Sequence, residues 1–595
     1  MASDLLLGPM LRRVDGDMAT VWVETTSTAT VTLRLLPDDH DDGARSWSAP
    51  TFAVHGHHYA LLEVTGLSPG ERVPYEVLVD DVVRWPEPGS PFPASTIGAP
   101  AHAGPVRLAF GSCRTSVPHD VTHHVSHGVD ALRTFALAVA DGDPGPLGTP
   151  PDLLLLLGDQ VYADATSAEM QEFIAARRDI TEEPGDELAD YEEYAHLYGL
   201  AWGEPALRWL FSWLPSLMIF DDHDVRDDWN TSAEWRRQME ATSWWHGRIV
   251  AGLGSYWVYQ HLGNLSAAER AEDPLWRELQ RRQEAEPDVE VDLTDDVDAF
   301  ADRADQEPGT YRWSYTHRLG DSRLVVVDSR AARTLERGNR SMLDDAEMAW
   351  LDEQLTGDVE HLLVAISLPF LLPMGLHRIE ALNEAMAEGR VAPRLTGVAE
   401  RVRQELDLEH WAAFTDAFTT VAHMVTEVAD GQRGAPPASV LFLSGDVHFS
   451  YVTEVDRESG SRMLQLVCSP VRNPLPRALR AFAAFGSHAA RPVGALFLRW
   501  AKIPEPPWRW HGIAGPWFDN NLAVLEIDGE DLRTVWLGGR LVGGPDDRPD
   551  LDIVADLALD VPPAGTAHQR PLARVHPDRR RGFVGRLRRR LTRHR

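Results

Sequence analysis

Four stretches of the sequence gather side chains that ligate metals or move protons. "GSCR" offers Cys113, "GDQVYAD" offers Asp159 and Tyr162, "FDDHDVRDDWN" offers Asp221, Asp222, His223 and Asp224, and "SGDVHFSY" offers Asp446 and His448. The third stretch sets five aspartates and a histidine between positions 221 and 228. Like charges that close repel, so a cation is expected among them. A thiol and a phenol ionise at about pH 8.5 and about pH 10, so using both as ligands near neutrality calls for a strongly polarising ion, which trivalent iron supplies. The surplus aspartates are hard oxygen donors suited to a second ion such as calcium, magnesium or manganese. Each stretch alone also has an ordinary reading: a tight turn with a core cysteine, a capped helix start, a solvated acidic turn, a turn with a surface histidine. Four in one domain argue for one shared site.

The elements that position these residues are visible just before them. "VRLAF", "DLLLLL", "SLMIF" and "SVLFL" are short continuous apolar runs, the pattern of strands covered on both faces. Ligands gather beyond the carboxyl ends of such strands, where the four polar stretches lie. Asp159 and Tyr162, three apart, can face one side of a turn, and Asp446 and His448, two apart, one side of an extended segment. Long helical and acidic insertions are expected within 165–310 and 375–515, around the core sheet. The tryptophan-rich 504–517 reads either as a pocket rim or as packing of an insertion. Cys468 is expected in the core, and His123, His124 and His127 in a polar loop near the first stretch.

Residues 1–98 read as a small β-sandwich of short alternating strands and turns. Their "GLSPGERVPYEV" is similar to fibronectin-type sandwiches, in which the tyrosine fastens a corner. A proline-rich connector, "WPEPGSPFPASTIGAPAHAGP", separates it from a domain over 105–545, and an arginine-rich tail occupies 565–595. The chain has 595 residues, and its net charge of −34 argues against a nucleic-acid surface. Two distant cysteines suggest no disulfide framework. With no signal peptide, twin-arginine signal or membrane-spanning run, a cytoplasmic location is expected. The tail has two readings: contact with an anionic membrane surface, or a solvated segment that balances the acidic body.

Taken in order, "GSCR", "GDQVYAD", "DDHDVRDDWN", "VVVDSRA", "LDDAEMAWLDEQL" and "SGDVHFSY" resemble the alkaline phosphatase D family, the PhoD-like metallophosphatases, across about residues 8–545. The resemblance implies an α/β fold: a four-layer αββα metallophosphatase core with helical insertions, preceded by the small N-terminal β-sandwich. It implies a binuclear centre in which Cys113, Asp159, Tyr162 and His448 hold Fe(3+). Asp159 would bridge to Ca(2+), with Mg, Mn or Zn as alternatives, completed by Asp222 and Asp446. His223 would stand beside the leaving group, and Asp221 and Asp224 would hold their loop. Arg114 and Arg330 would clamp phosphate oxygens or else form ordinary ion pairs. The implied activity is hydrolysis of a small-molecule phosphoester, a hydroxide held by the metal pair attacking phosphorus in line. The alternatives are a phosphodiesterase or phospholipase-type activity on the same site, and a binding protein that has lost the chemistry.

Overall fold

In the computed structural model, which describes residues 3–36, 45–101, 104–475, 501, 503–544 and 548–559, the leucine run at 153–157 is a strand whose side chains divide by parity. Leu153, Leu155 and Leu157 share a core with Leu108, Phe110, Leu217 and Ile219, and with Leu324, Val326, Leu363, Leu441 and Leu464 of a second sheet. Leu154 and Leu156 point the other way, into a cluster with Leu132 and Phe135 of helix Ala131–Ala140 and Leu207 and Leu210 of helix Pro205–Trp213. Period-two alternation thus converts one apolar word into two buried faces.

The first sheet runs Ser216–Ile219, Leu153–Leu157, Val106–Gly111, Leu522–Asp528, Asp531–Arg540, Asp550–Ala558. Its first three strands are parallel and the rest antiparallel. The second runs Tyr315–Leu319, Ser322–Val327, His361–Ile366, Ser439–Ser444, Arg462–Val467, Ser450–Val455, Trp510–Trp517, with Ser322–Val327 through Arg462–Val467 parallel. The outer face of this sheet, with Val325, Leu362, Val364, Val440 and Phe442, packs on Phe418, Val421 and Val425 of helix Thr415–Ala429. Helix, sheet, sheet, helix is the expected four-layer αββα arrangement. Trp508 and Trp510 lie within the same outer cluster, so the tryptophan-rich segment packs against the core rather than rimming a pocket.

The N-terminal strands pair into two sheets around Val21, Val23, Val31, Leu33, Tyr75 and Val77. The sandwich differs from expectation in three ways. Strand Val291–Asp292, from the acidic insertion, adds itself in parallel to Phe52–Val54. The Tyr75 hydroxyl reaches beyond its own sandwich and donates to the Ser212 carbonyl, 2.5 Å away at the end of helix Pro205–Trp213. The proline-rich connector separates the two parts in sequence but not in space: Met10, Trp22, Phe52, Tyr59 and Leu61 join the cluster built by Tyr191, Tyr198, Trp202 and Tyr259 of the insertion. The expected tail at 565–595 and residues 476–500 of the insertion lie outside the described residues. Among the described residues no helix is long and apolar enough to cross a membrane.

Candidate metal centre

The loops that follow the parallel strands of both sheets meet at one rim. Gly445 makes the approach possible: a Cβ there would lie 2.1 Å from Ser112 Oγ and 3.2 Å from the Leu157 carbonyl oxygen. The next amide, of Asp446, donates to Ser112 Oγ at 3.1 Å and so joins the two sheets. Cys113, Asp159, Asp446 and His448 all adopt left-handed backbone, with φ of 58°, 54°, 61° and 55°. Non-glycine residues visit that region rarely, and such strain concentrates at functional sites.

Two sets of donor atoms form there, each within 4.8 Å of one another: Cys113, Asp159 and His448, and Asp159, Asp221 and Asp222. Asp159 belongs to both. Tyr162 joins the first through its hydroxyl, 3.2 Å from Asp159 Oδ2, and is steadied by Asn473 Nδ2 at 3.0 Å. Two carboxylates of the second set keep one buried oxygen without a partner, Asp159 Oδ1 and Asp221 Oδ2, whereas Asp222 Oδ1 lies 3.0 Å from Arg330 Nη2 and Asp222 Oδ2 accepts from the Asp228 amide at 2.9 Å. Burial pushes the pKa values of all three up, and repulsion from neighbouring carboxylates, Glu409 and Asp446 in the case of Asp222, adds to it. Buried anionic oxygens left unpaired are costly, and a cation between them removes the cost. His448 is held down to about 4 by burial, so its imidazole is neutral, the form that ligates.

Arg330 supplies part of the missing positive charge. Its guanidinium is fully buried, with Nε on Asp221 Oδ1, Nη2 3.0 Å from Asp222 Oδ1 and Nη1 2.5 Å from Glu409 Oε1. Arg114 likewise faces protein, 2.9 Å from Asp130 Oδ2 and donating to the Ala201 carbonyl at 2.8 Å. Both arginines are thus ion-paired with carboxylates of the protein. Asp446 lies outside the two triads: its Oδ2 is 3.0 Å from His410 Nε2, whose other nitrogen is 2.9 Å from Glu380. Burial raises the Asp446 carboxyl, but the His410 contact outweighs this and holds it at about 2. Asp221, expected only to hold the loop, stands in the triad instead.

The His223 ring lies tilted beside Tyr162, with ring centroids 4.6 Å apart, and its Nδ1 lies 2.8 and 3.0 Å from the two oxygens of Asp164. It also groups with Asp222 and Asp227 in a third donor set. Asp224 accepts from the amides of Asp159 and Asp221, both at 2.9 Å. His123 and His124 sit on the short helix Val121–Ser126, which His127 ends, and none of the three joins a donor set. Cys468 is buried between the sheets, as expected. Sequence reading missed Asp164, His410, Glu409, Glu380 and Asn473. Only Asp164 carried a signal, as the last residue of "GDQVYAD".

A four-layer αββα core with carboxylates, a histidine and a thiol converging at its strand ends defines a metal-dependent hydrolase. The chain belongs to the PhoD-like phosphatase family, whose model matches residues 147–490, and it is a phosphatase. Cys113 precedes the matched range. Residues 2–97 match a domain of unknown function, DUF7800. No curated protein matches the chain in sequence. The solved structure of PhoD superimposes with a TM-score of 0.58 at 13% identity, over 94% of this chain and 91% of its own, a likeness of fold. A cyclomaltodextrinase, at 10% identity over 90% of this chain and 91% of its own, has a TM-score of 0.15, too low for a shared fold.

Proposed function

We propose that this phosphatase hydrolyses a small-molecule phosphoester directly, in line and without a phosphoenzyme, at a binuclear centre. Cys113, Asp159, Tyr162 and His448 hold one ion, for which thiolate and phenolate favour ferric iron. A second ion, calcium, would be held by Asp159, Asp221 and Asp222, with Asp446 beside them. When bound, the cations neutralise the carboxylates, lower the pKa of water and offset charge on the phosphoryl oxygens. The observation that carries this reading is that Asp159 belongs to both donor sets while Asp159 and Asp221 each keep one buried oxygen free.

The chain's own groups divide the remaining work. Asp164 takes Nδ1 of His223 and fixes the ring, leaving Nε2 to protonate the departing oxygen. Arg330 holds Asp221 and Asp222, each through Oδ1, which leaves Asp221 Oδ2 available to a cation. Elemental analysis beside turnover of a chromogenic phosphomonoester tests the assignment. Asp159→Asn is expected to lose both ions and turnover together. His223→Gln is expected to keep its ions and lose about 100- to 10,000-fold in kcat. Full metal content in the aspartate variant, or metal loss in the histidine variant, would reverse these roles.

A further inference from the structure

Helix Trp245–Tyr256 runs directly into a five-residue π-helix, Trp257–His261. Such turns are rare and are found mostly at functional sites. This one places Gln260, fully buried, where its Nε2 donates to Asp224 Oδ1 at 3.1 Å and to the Tyr198 hydroxyl at 3.0 Å. The other Asp224 oxygen accepts from the amides of Asp159 and Asp221. One carboxylate therefore ties together the two loops that carry the proposed bridging ligands.

The far side of the π turn is held by the N-terminal sandwich. Arg12, on strand Leu5–Asp15, is fully buried and donates to the carbonyls of Tyr259 (3.2 Å) and Gln260 (2.7 Å) and to Asn264 Oδ1 (3.0 Å). Asn264 in turn pairs with both backbone groups of Met218, at 2.9 and 2.7 Å, in the strand that leads to Asp221. Gly263 leaves the space, since a Cβ there would lie 2.3 Å from Arg12 Nε. The donors of Arg12 reach carbonyl and amide oxygens and the Met218 sulfur, not a carboxylate. Burying a guanidinium in this way is costly, so the contacts of Arg12 point to geometry rather than stability as its role.

We propose that the sandwich is a positioning part of the metal centre: Arg12 fixes the π turn, the turn presents Gln260 to Asp224, and Asp224 sets the separation of the Asp159 and Asp221 loops. This gives the domain matched over residues 2–97 a role in catalysis without contact with substrate. The proposal rests on the binuclear reading above, but part of its test does not.

Full-length Gln260→Leu, prepared without metal, is expected to stay folded by circular dichroism while the Asp159 and Asp221 amides exchange hydrogen faster than in wild type. Loaded with iron and calcium, it should release its ions at EDTA concentrations about 10- to 100-fold lower and lose kcat with KM little changed. Arg12→Met is expected to act in the same direction, and Arg12→Lys, which keeps the charge but not the fork, only partly to restore the site. Tyr198→Phe removes the other partner of Gln260 and should leave the two amides and metal retention as in wild type. Wild-type exchange at both amides in Gln260→Leu overturns the proposal. So does acceleration spread evenly over the chain, which marks a loss of general stability. If Arg12→Met does not fold, Gln260→Leu decides alone. Wild-type protein that takes up no ions would remove the binuclear reading, while exchange in the metal-free variant would still test the tie through Asp224.

Discussion

Cys113 and Tyr162 are both buried, and burial, reinforced by Asp159, pushes their pKa values well above the ordinary thiol and phenol ranges. Neither ionises near neutral pH unless a cation sits at its donor atom. Iron-loaded protein is therefore expected to absorb visible light through phenolate- and thiolate-to-iron charge transfer, with Tyr162→Phe and Cys113→Ala each shifting or removing a band. Active but colourless protein holding only zinc would contradict the iron assignment. Asp130 gives a pH prediction away from the donor sets. Burial raises its carboxyl, but Arg114 and Arg472 outweigh this and lower it from 3.8 to about 2. A depressed carboxylate stabilises the fold above its unfolded pKa and loses that contribution as pH falls through the folded value, a difference of about 2 kcal/mol. In urea titrations the stability gap between wild type and Asp130→Asn should narrow by about that amount between pH 5 and pH 2. A gap independent of pH would show that Asp130 titrates normally. Asp159, Tyr162 and His448 were legible in the sequence because each follows an apolar run. His410 and Glu409 were not, because they reach the site from a helical insertion with no local pattern to mark them.

Elements converge on the centre only as closely as their backbones allow. Gly445 is the tightest point, with the Ser112 side chain and the Leu157 carbonyl both inside the space a methyl group would take. Gly445→Ala must therefore push the loop of Asp446 and His448 away from that of Cys113. Overpacking of this kind costs about 1–3 kcal/mol, and here the displaced loops carry the donors. The variant is expected to melt earlier and to retain less metal, and wild-type metal retention would show that the loops absorb the clash. The sheets that create this contact were largely readable: the run 153–157 announced a strand buried on both faces, and parity assigned each leucine to a layer. Strand Val291–Asp292 was not readable. It lies in an acidic run whose only strand-like feature is its remote pairing with Phe52–Val54.

Across the whole molecule, the sheet containing Met18–Thr25 has two apolar faces. Val21 and Val23 point into the sandwich, while Trp22 points out into the aromatic cluster of the insertion, 5.2 Å from the Tyr259 ring. Three consecutive apolar residues in "TVWVE" were a sequence signal that this sheet is covered on both sides, and reading them as simple alternation made the sandwich look separate. The chemistry of the join agrees with its packing: Arg12, Arg13 and Tyr75 each donate to a backbone carbonyl across it. Domains that share a core and bury polar donors in it cannot part without exposing both. Calorimetry of the full chain is therefore expected to show sandwich and phosphatase core unfolding in one transition. Trp22→Ala, which opens a cavity in the shared cluster, should lower that single transition, at a cost of about 3–5 kcal/mol, rather than split it. Two resolved transitions in wild type, the lower one belonging to residues 3–97, would mean that the sandwich is an appended module, and would also remove the ground on which Arg12 acts at the metal centre.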